Sequence, residues 1–287
     1  MTLAALFCSN SCDWPTVYYL FGSLTIMSFI AFYAVFSDDP LSNRFIPDKV
    51  KQQSERHQKS HSNRAEVPYR AIFTSLSVWG LWIAAFGDAL GHQMFLMYGP
   101  TYMNKVLDFN VASTGFLAAL PFLLCIGAKN IGGMLLDRIR CVADHPKIMV
   151  FTTVAQAGMT ICFLLLTLLS AGHPILAELI FTFVVLFSGL HNVGLFSACQ
   201  TVAKKHSHVL TMIVSMEIGL VAIILPLLVS TLAPENEKIG WKTIFYIIAG
   251  GLLVSNIGFW LLTRVRTAIW AEKQQEQANT DARTTQL

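Results

Sequence analysis

The stretch ILAELIFTFVVLFSGLHNVGLFSA, residues 175–198, contains a single charged side chain, Glu178. A helix that crosses a bilayer needs about 20 mainly apolar residues, because the hydrocarbon offers no water to unpaired backbone groups. The stretch is long enough to cross, and its one carboxylate stands near its start. It therefore predicts a membrane-spanning helix.

Six further stretches outside this one have the same character. They lie at residues 17–36, 73–98, 111–136, 148–169, 211–232 and 243–262. The chain of 287 residues is 54% apolar and 13% charged, which is about half the charged share of a soluble domain. We therefore predict an all-α membrane protein with seven transmembrane helices, surrounded by lipid.

Polar segments divide the chain into four parts. Residues 1–36 hold one span, residues 37–72 form a charged linker, residues 73–262 hold six spans, and residues 263–287 form a tail. Residues 3–8, LAALFC, are typical of the end of an apolar helix, yet six residues cover only about 9 Å of a core about 30 Å thick. We therefore expect residues 1–36 to be the remnant of a first half.

The loops between the spans carry lysine and arginine unevenly. Alternate loops hold sixteen on one side and three on the other, and positive residues near span ends stay in the cytoplasm. This bias predicts a multi-pass protein with the linker and the C-terminus in the cytoplasm and the N-terminus outside. Plasma membrane and vesicle membrane fit the bias equally well.

Four local motifs resemble a known transporter family. They are DWPTVYYLFG at 13–22, VPYRAIFTSLSVWGL at 67–81, PTYMNKVLDFNVASTGFLAALPFL at 100–123, and GGMLLDRIR at 132–140. With them the chain resembles the organic anion branch of the major facilitator superfamily, which includes the sodium/phosphate, sialin-like and vesicular glutamate transporters. The resemblance implies the sixth helix, the linker and the second six-helix half of a twelve-helix transporter.

This resemblance implies transport of a small organic or inorganic anion by alternating access. The coupling ion would be a proton or sodium, with no other cofactor and no metal site, and the partner would be a first-half polypeptide or a second copy of the chain. A second interpretation stays open, in which the chain is a truncated membrane protein that does not transport and acts as a binding partner or has no activity of its own.

Other protein classes fit the sequence poorly. The chain has no basic face for nucleic acid, no Cys or His spacing typical of zinc, and none of the hydrolase or phosphate-loop motifs of enzymes. Seven spans and the tripeptide DRI at 137–139 imitate a G-protein-coupled receptor. The last span, however, lacks NPxxY, and a linker of 36 residues follows the first span.

Asp88 is the strongest candidate for a functional residue. It lies near the middle of the span 73–98, and His92 follows four residues later on the same helix face. An ionisable group at this depth is costly, which favours a function, and an aspartate beside a histidine can share a proton. The alternative is a buried polar contact between helices. With this resemblance, Asp88 aligns with an arginine of the vesicular glutamate transporters.

Four more polar residues inside spans are candidates for substrate or ion coupling. Lys129 and Glu217 each lie about 10 Å inside the cytoplasmic end of a span, so they can pair with each other, or Lys129 can reach the interface alone. His191 and Asn192 occupy a stretch where the family has Asn and Gly. Glu178, by contrast, is expected to extend to water from the end of its span.

The motif GGMLLDRIR resembles the cytoplasmic loop signature of the superfamily, GxxxDRxGR, with Gly133, Asp137 and Arg138 in register. The two glycines, Gly132 and Gly133, predict a close approach by a neighbouring helix. Asp137 and Arg138 are candidates for ion pairs that break during gating. Arg138 is also explained by the preference of positive charge for the cytoplasm, and the two explanations are compatible.

Overall fold

The computed structural model describes residues 15–36, 67–107, 120–139, 142–169 and 174–271. All regular elements in these residues are helical. The expectations for residues 3–8, for most of the linker, for the start of the span 111–136 and for the end of the tail fall outside the described residues.

The helices alternate with short connections. They are α1 (Pro15–Val35), α2 (Tyr69–Phe73), α3 (Leu76–Lys105), α4 (Leu120–Arg138), α5 (Asp144–Leu168), α6 (Pro174–Ala203), α7 (Ser207–Leu232) and α8 (Lys238–Leu262). A 3₁₀ turn at Lys204–His206 joins α6 to α7. The predicted all-α membrane architecture is confirmed.

Five helical stretches of the described residues are long and apolar enough to cross a membrane. They are α1, α4, α5, α8 and the stretch Ile175–Leu232, which contains both α6 and α7. The remaining predicted span, 73–98, corresponds to α3. This helix has 30 residues, enough for about 45 Å, but Asp88, His92 and Gln93 lower its hydropathy.

Two helices run well past their predicted ends. The expected end of α3 was residue 98, ahead of Gly99 and Pro100, but the helix continues through Pro100 to Lys105. A proline removes one backbone donor, and membrane helices tolerate this because neighbouring groups replace the lost hydrogen bond. The expected end of α6 was residue 198, but it continues to Ala203, where Lys204 adopts a positive φ of 44°.

The chain divides into two units, one containing α1 and the other containing α2 to α8. In α1, the hydroxyls of Ser23, Thr25 and Ser28 donate to carbonyls three or four residues earlier. These polar side chains are therefore satisfied within their own helix, as a lipid environment requires.

Aromatic side chains fill the core of the larger unit. The Phe181 ring of α6 meets Tyr102 of α3 at 5.8 Å and Phe245 of α8 at 6.2 Å between ring centroids. Tyr102 and Phe245 also face each other at 5.1 Å in an edge-on contact, a geometry that aromatic pairs prefer. These contacts fix α3 and α6 against each other on one side of Asp88.

Polar side chains of α5 and α8 pack against α3 on another side. Gln156 of α5 donates from Nε2 to the Ser255 hydroxyl of α8 at 2.7 Å, and the Gly87 backbone lies directly against both side chains. Asn256 donates to the Thr153 carbonyl at 3.1 Å. Because a side chain on residue 87 would overlap Ser255, the glycine is what allows α3, α5 and α8 to pack this closely.

The segment that follows α8 crosses the ends of three helices, and we call residues 263–271 the strap. The backbone N–H of Arg264 donates to the Ser77 hydroxyl at 3.1 Å, and that of Val265 donates to His145 Nδ1 at 3.0 Å. Further on, the N–H of Ala268 donates to the Val202 carbonyl at 3.1 Å. The strap thereby connects the start of α3, the start of α5 and the end of α6.

Candidate functional site

Asp88 of α3 faces α6 inside the larger unit. Its Oδ2 atom accepts a hydrogen bond from the Ser188 hydroxyl at 3.2 Å and another from Asn192 Nδ2 at 3.1 Å. Asp88 is only 5% exposed. Because Ser188 and Asn192 are one turn apart on α6, their side chains lie on one face and reach the same carboxylate oxygen.

His92 joins the same group through Ser188. Its Nδ1 atom lies 3.3 Å from the Ser188 hydroxyl oxygen. A hydroxyl has one proton to donate, and Ser188 donates it to Asp88. The contact with His92 is therefore formed by an Nδ1–H that donates to Ser188, an assignment made from the hydrogen-bond network. His92, Ser188 and Asp88 then form a continuous chain of hydrogen bonds.

His191 approaches the opposite oxygen of Asp88. Its Nδ1 lies 3.5 Å from Asp88 Oδ1, and its side chain is fully buried. Neither of its ring nitrogens has a hydrogen-bond partner, and Asp88 Oδ1 also has none. A carboxylate with one satisfied and one unsatisfied oxygen, beside two imidazoles, has room to accept a proton.

The glycines flanking Asp88 serve packing. At Gly87 an added Cβ would overlap Ser255, and at Gly91 it would lie 3.1 Å from Met159 and from Phe163. Both glycines therefore allow the close approach of α3 to its neighbours, α5 at both positions and α8 at Gly87.

We call the cluster of Asp88, His92, Ser188, His191 and Asn192 the Asp88 group. Lys129 lies on α4 beside this group. Its stem runs along α6, because an added Cβ on Gly189 would be 3.4 Å from Lys129 Cγ and Cε. The residue is exposed, and its charge interacts electrostatically with Asp88 and His92.

Glu217 of α7 lies apart from Lys129. Its Oε2 atom is buried without a hydrogen-bond partner, and its charge interacts with Cys199 of α6. Among the described residues, the close pairs of a basic and an acidic side chain are Lys147–Asp144 and His191–Asp88, so Lys129 and Glu217 do not pair. Their pairing, which the sequence left open, is not found in this structure.

The expectation for Glu178 is wrong. It was expected to extend to water, but its side chain is only 5% exposed, and its Oε1 has no hydrogen-bond partner. Glu178 faces inward because it is on the α6 face that carries Val185 and Asn192, at steps of seven residues, or two helical turns.

The loop-signature residues lie at the end of α4. Gly132 contacts α6, where an added Cβ would be 2.7 Å from Leu190 Cδ2, whereas nothing lies within 4 Å of such an atom on Gly133. Asp137 and Arg138 are both exposed. Within the described residues, neither Asp137 nor Arg138 forms an ion pair.

The Major Facilitator Superfamily sequence profile matches residues 1–226. This is well over half of the 287 residues. The chain belongs to the major facilitator superfamily.

Three relatives show which kind of major facilitator protein this chain resembles. Human sodium-dependent phosphate transport protein 4 is 22% identical over 94% of this chain and 65% of its own length. Sheep sialin is 26% identical over 90% and 53%, and the human probable small intestine urate exporter is 24% identical over 91% and 53%. The predicted resemblance to the organic anion branch is confirmed, and the chain spans about half to two thirds of these relatives' lengths.

One member of the Asp88 group in this major facilitator chain was not predicted. Ser188 contacts both Asp88 and His92, but a serine inside an apolar helix usually bonds to its own backbone. The signal was the four-residue spacing from Asn192, which puts both residues on one face of α6. That this face meets Asp88 depends on how α3 and α6 pack.

Proposed function

We propose that this chain takes part in ion-coupled transport of a small anion across a membrane, with the Asp88 group holding the coupling ion. Support comes from membership in a transporter superfamily and from similarity to proteins named as phosphate transporters and as a probable urate exporter. The observation that carries the proposal is the buried Asp88 carboxylate, which two side chains of α6 hold by hydrogen bonds.

The chemistry around Asp88 favours a proton over sodium as the coupling ion. Sodium, a hard cation, needs several oxygen ligands. Among the described residues only the Ser188 hydroxyl offers Asp88 a neutral oxygen, because Asn192 and His191 present nitrogen atoms. A proton needs no such set of ligands, because a carboxylate that takes one up becomes a neutral group with one O–H donor.

A proton has a defined route through this group. His92 is less buried than Asp88, and the Ser188 hydroxyl lies between them. A proton that enters at His92 passes to Asp88 when Ser188 hands on its own proton and receives one from His92. Asp88 is then neutral, and its contacts to α6 change from charge-assisted to ordinary hydrogen bonds, which are about half as strong.

The weakening of these contacts couples the proton to movement. Asp88 and its two donors are on different helices, so their hydrogen bonds resist any shift of α3 along α6. Alternating access requires such shifts within or between helical bundles. In this account the linker and the strap face the cytoplasm, as the distribution of lysine and arginine predicts.

Uptake into liposomes tests the proposal. Purified full chain is reconstituted, and uptake of ³²P-phosphate and ¹⁴C-urate is measured with an imposed pH gradient, with an imposed sodium gradient and with neither. We expect accumulation driven by the pH gradient and lost in Asp88→Asn, with a second copy of the chain as the partner in the liposome membrane. The control Asp144→Asn, the same change at an exposed residue, should behave as wild type.

Two other outcomes are informative. Accumulation that follows the sodium gradient and survives Asp88→Asn would contradict the proton site. Binding of either anion without gradient-driven uptake would favour the second interpretation, a membrane protein that binds without transporting.

A further inference from the structure

Among the residues that the structure describes, Lys129 is the lysine that lies deepest in a helix, nine residues before the last residue of α4, Arg138. The other lysines and arginines of the long helices are in the first two turns or the last turn, at Lys105, Arg138, Lys147, Lys238 and Lys242. A charge at the ends reaches the membrane surface easily. An ammonium about 10 Å inside a span is costly unless it extends to the interface or an anion compensates it.

The position of Lys129 on α4 puts it against α6. Cys125 lies one turn before Lys129 and Gly132 nearly one turn after it, and both are buried. The Cys125 thiol donates to the Val185 carbonyl of α6 at 3.5 Å. The Lys129 stem passes Gly189, the residue after Ser188. Lys129 therefore belongs to the side of α4 that packs on α6, and its stem lies against the residue that follows Ser188.

The ammonium of Lys129 is available to an anion. In the described part of the chain, the recorded ion pairs do not include one made by Lys129, and the residue is exposed. Its charge nevertheless acts on Asp88 and His92. Asp88 therefore compensates the positive charge of Lys129 through space, and the two side chains do not form a direct ion pair.

We propose that Lys129 binds the transported anion, and that this anion replaces Asp88 as the counter-charge of Lys129 when Asp88 takes up a proton. The inference rests on the proposed function and adds the residue that holds the substrate. In the empty state, the Lys129 ammonium balances the Asp88 carboxylate. After one proton and one monovalent anion bind, Asp88 is neutral, the anion balances Lys129, and the net charge of the site is unchanged.

The titratable groups that the described residues place around Asp88 come from α3, α4 and α6. His92 on α3 and His191 on α6 are the two imidazoles, and Lys129 on α4 is the cation, with the Cys125 thiol behind it. The groups that α5 and α8 present beside Gly87 are the uncharged Gln156 and Ser255. The carboxylate of α7, Glu217, acts instead on Cys199.

The exchange predicts how anion binding depends on pH. Protonation of Asp88 removes the carboxylate that competes for Lys129, so the anion binds more tightly at low pH. Urate is a suitable probe because it is a monovalent anion at neutral pH. Binding of ¹⁴C-urate to the purified full chain is measured at about pH 6 and about pH 8, two values at which the proton concentration differs widely.

We expect the wild type to bind urate more tightly at the lower pH. Lys129→Gln should weaken binding about tenfold or more at both pH values, whereas Lys129→Arg, which keeps the charge, should stay within about threefold. Lys205→Gln is the matched control at an exposed lysine and should change nothing.

Asp88→Asn keeps the test independent of folding defects, because it should bind more tightly than wild type at the higher pH. A gain of affinity cannot result from misfolding. Urate binding that is unchanged in Lys129→Gln, or that stays pH-dependent in Asp88→Asn, would overturn the role of Lys129 and leave the transport proposal standing. Absence of both urate and phosphate binding in the wild type would contradict the proposed function first, and the assignment of Lys129 with it.

Discussion

The side-chain amide of Asn192 on α6 donates to the Asp88 carboxylate on α3 at 3.1 Å. The same Nδ2 atom also donates to the Ser188 carbonyl at 2.9 Å. Asn192 therefore uses both of its amide protons, one to anchor itself to its own helix and one to hold Asp88. This double use orients the amide so that its nitrogen, and not its oxygen, faces the carboxylate.

Replacement of Asn192 by leucine should destabilise the protein. The change removes a hydrogen-bond donor from a buried carboxylate, and a buried polar group left without its partner lowers the free energy of unfolding by about 1–3 kcal/mol. The midpoint of thermal unfolding in detergent should fall. Asn130→Leu is the matched control, because Asn130 is exposed and bonds only to the Ile126 carbonyl of its own helix; equal losses in the two variants would show that the contact to Asp88 contributes nothing.

Replacement of Gly87 by alanine should disturb the contact of α3 with α5 and α8. The new methyl group would overlap the Ser255 hydroxyl, and an overpacked core site loses about 1–3 kcal/mol. Gly250→Ala provides the comparison, since nothing lies within 4 Å of a Cβ there and alanine favours a helix. A drop in unfolding midpoint for Gly87→Ala together with no drop for Gly250→Ala is the expected result; the reverse order would contradict the packing described.

The strap is held in part by a hydrogen bond to His145. The Val265 N–H donates to His145 Nδ1 at 3.0 Å, which requires a free electron pair on that nitrogen. Hydrogen exchange measures this contact as a protection factor for the Val265 N–H.

His145→Leu should lower the same protection factor by about fivefold at neutral pH, the equivalent of one lost hydrogen bond of about 1 kcal/mol. His208→Leu, at an exposed histidine, should leave it unchanged. Protection of Val265 that is the same in wild type and His145→Leu would show that His145 does not hold the strap.

The topology predicted from lysine and arginine can be tested with thiol chemistry. Cys125, Cys162 and Cys199 are buried, so a membrane-impermeant thiol reagent has little access to them. In intact cells the reagent should label Cys8 or Cys12 and spare Cys141, which should react only after permeabilisation. Labelling of Cys141 in sealed cells would reverse the proposed orientation.

The helical class, the apolar spans and the position of Asp88 deep inside a span could be predicted from the sequence. Each depends on information that one segment carries by itself, such as the length of an apolar run or the depth of a charge within it. The spacing of Asp88 and His92 likewise concerns a single helix. The similarity of residues 13–140 to a known branch came from local motifs.

Contacts between helices were harder to predict. Ser188 was missed and Glu178 was placed in water, because an apolar helix of period 3.6 does not reveal which of its faces meets protein and which meets lipid. In water the polar face marks the outside, but in a membrane both sides are apolar. The end of α3 was placed too early for a different reason, since Pro100 would terminate most helices of soluble proteins.

The central claim is that Asp88 takes up a proton together with the transported anion, and proton movement measures this most directly. Full chain is reconstituted in liposomes that enclose a pH-sensitive dye, phosphate or urate is added outside without an imposed gradient, and the internal pH is followed. We predict acidification that requires the anion, disappears in Asp88→Asn, is reduced in His92→Gln and persists in Asp144→Asn. Anion entry without acidification, or acidification that is equal in wild type and Asp88→Asn, would contradict the account.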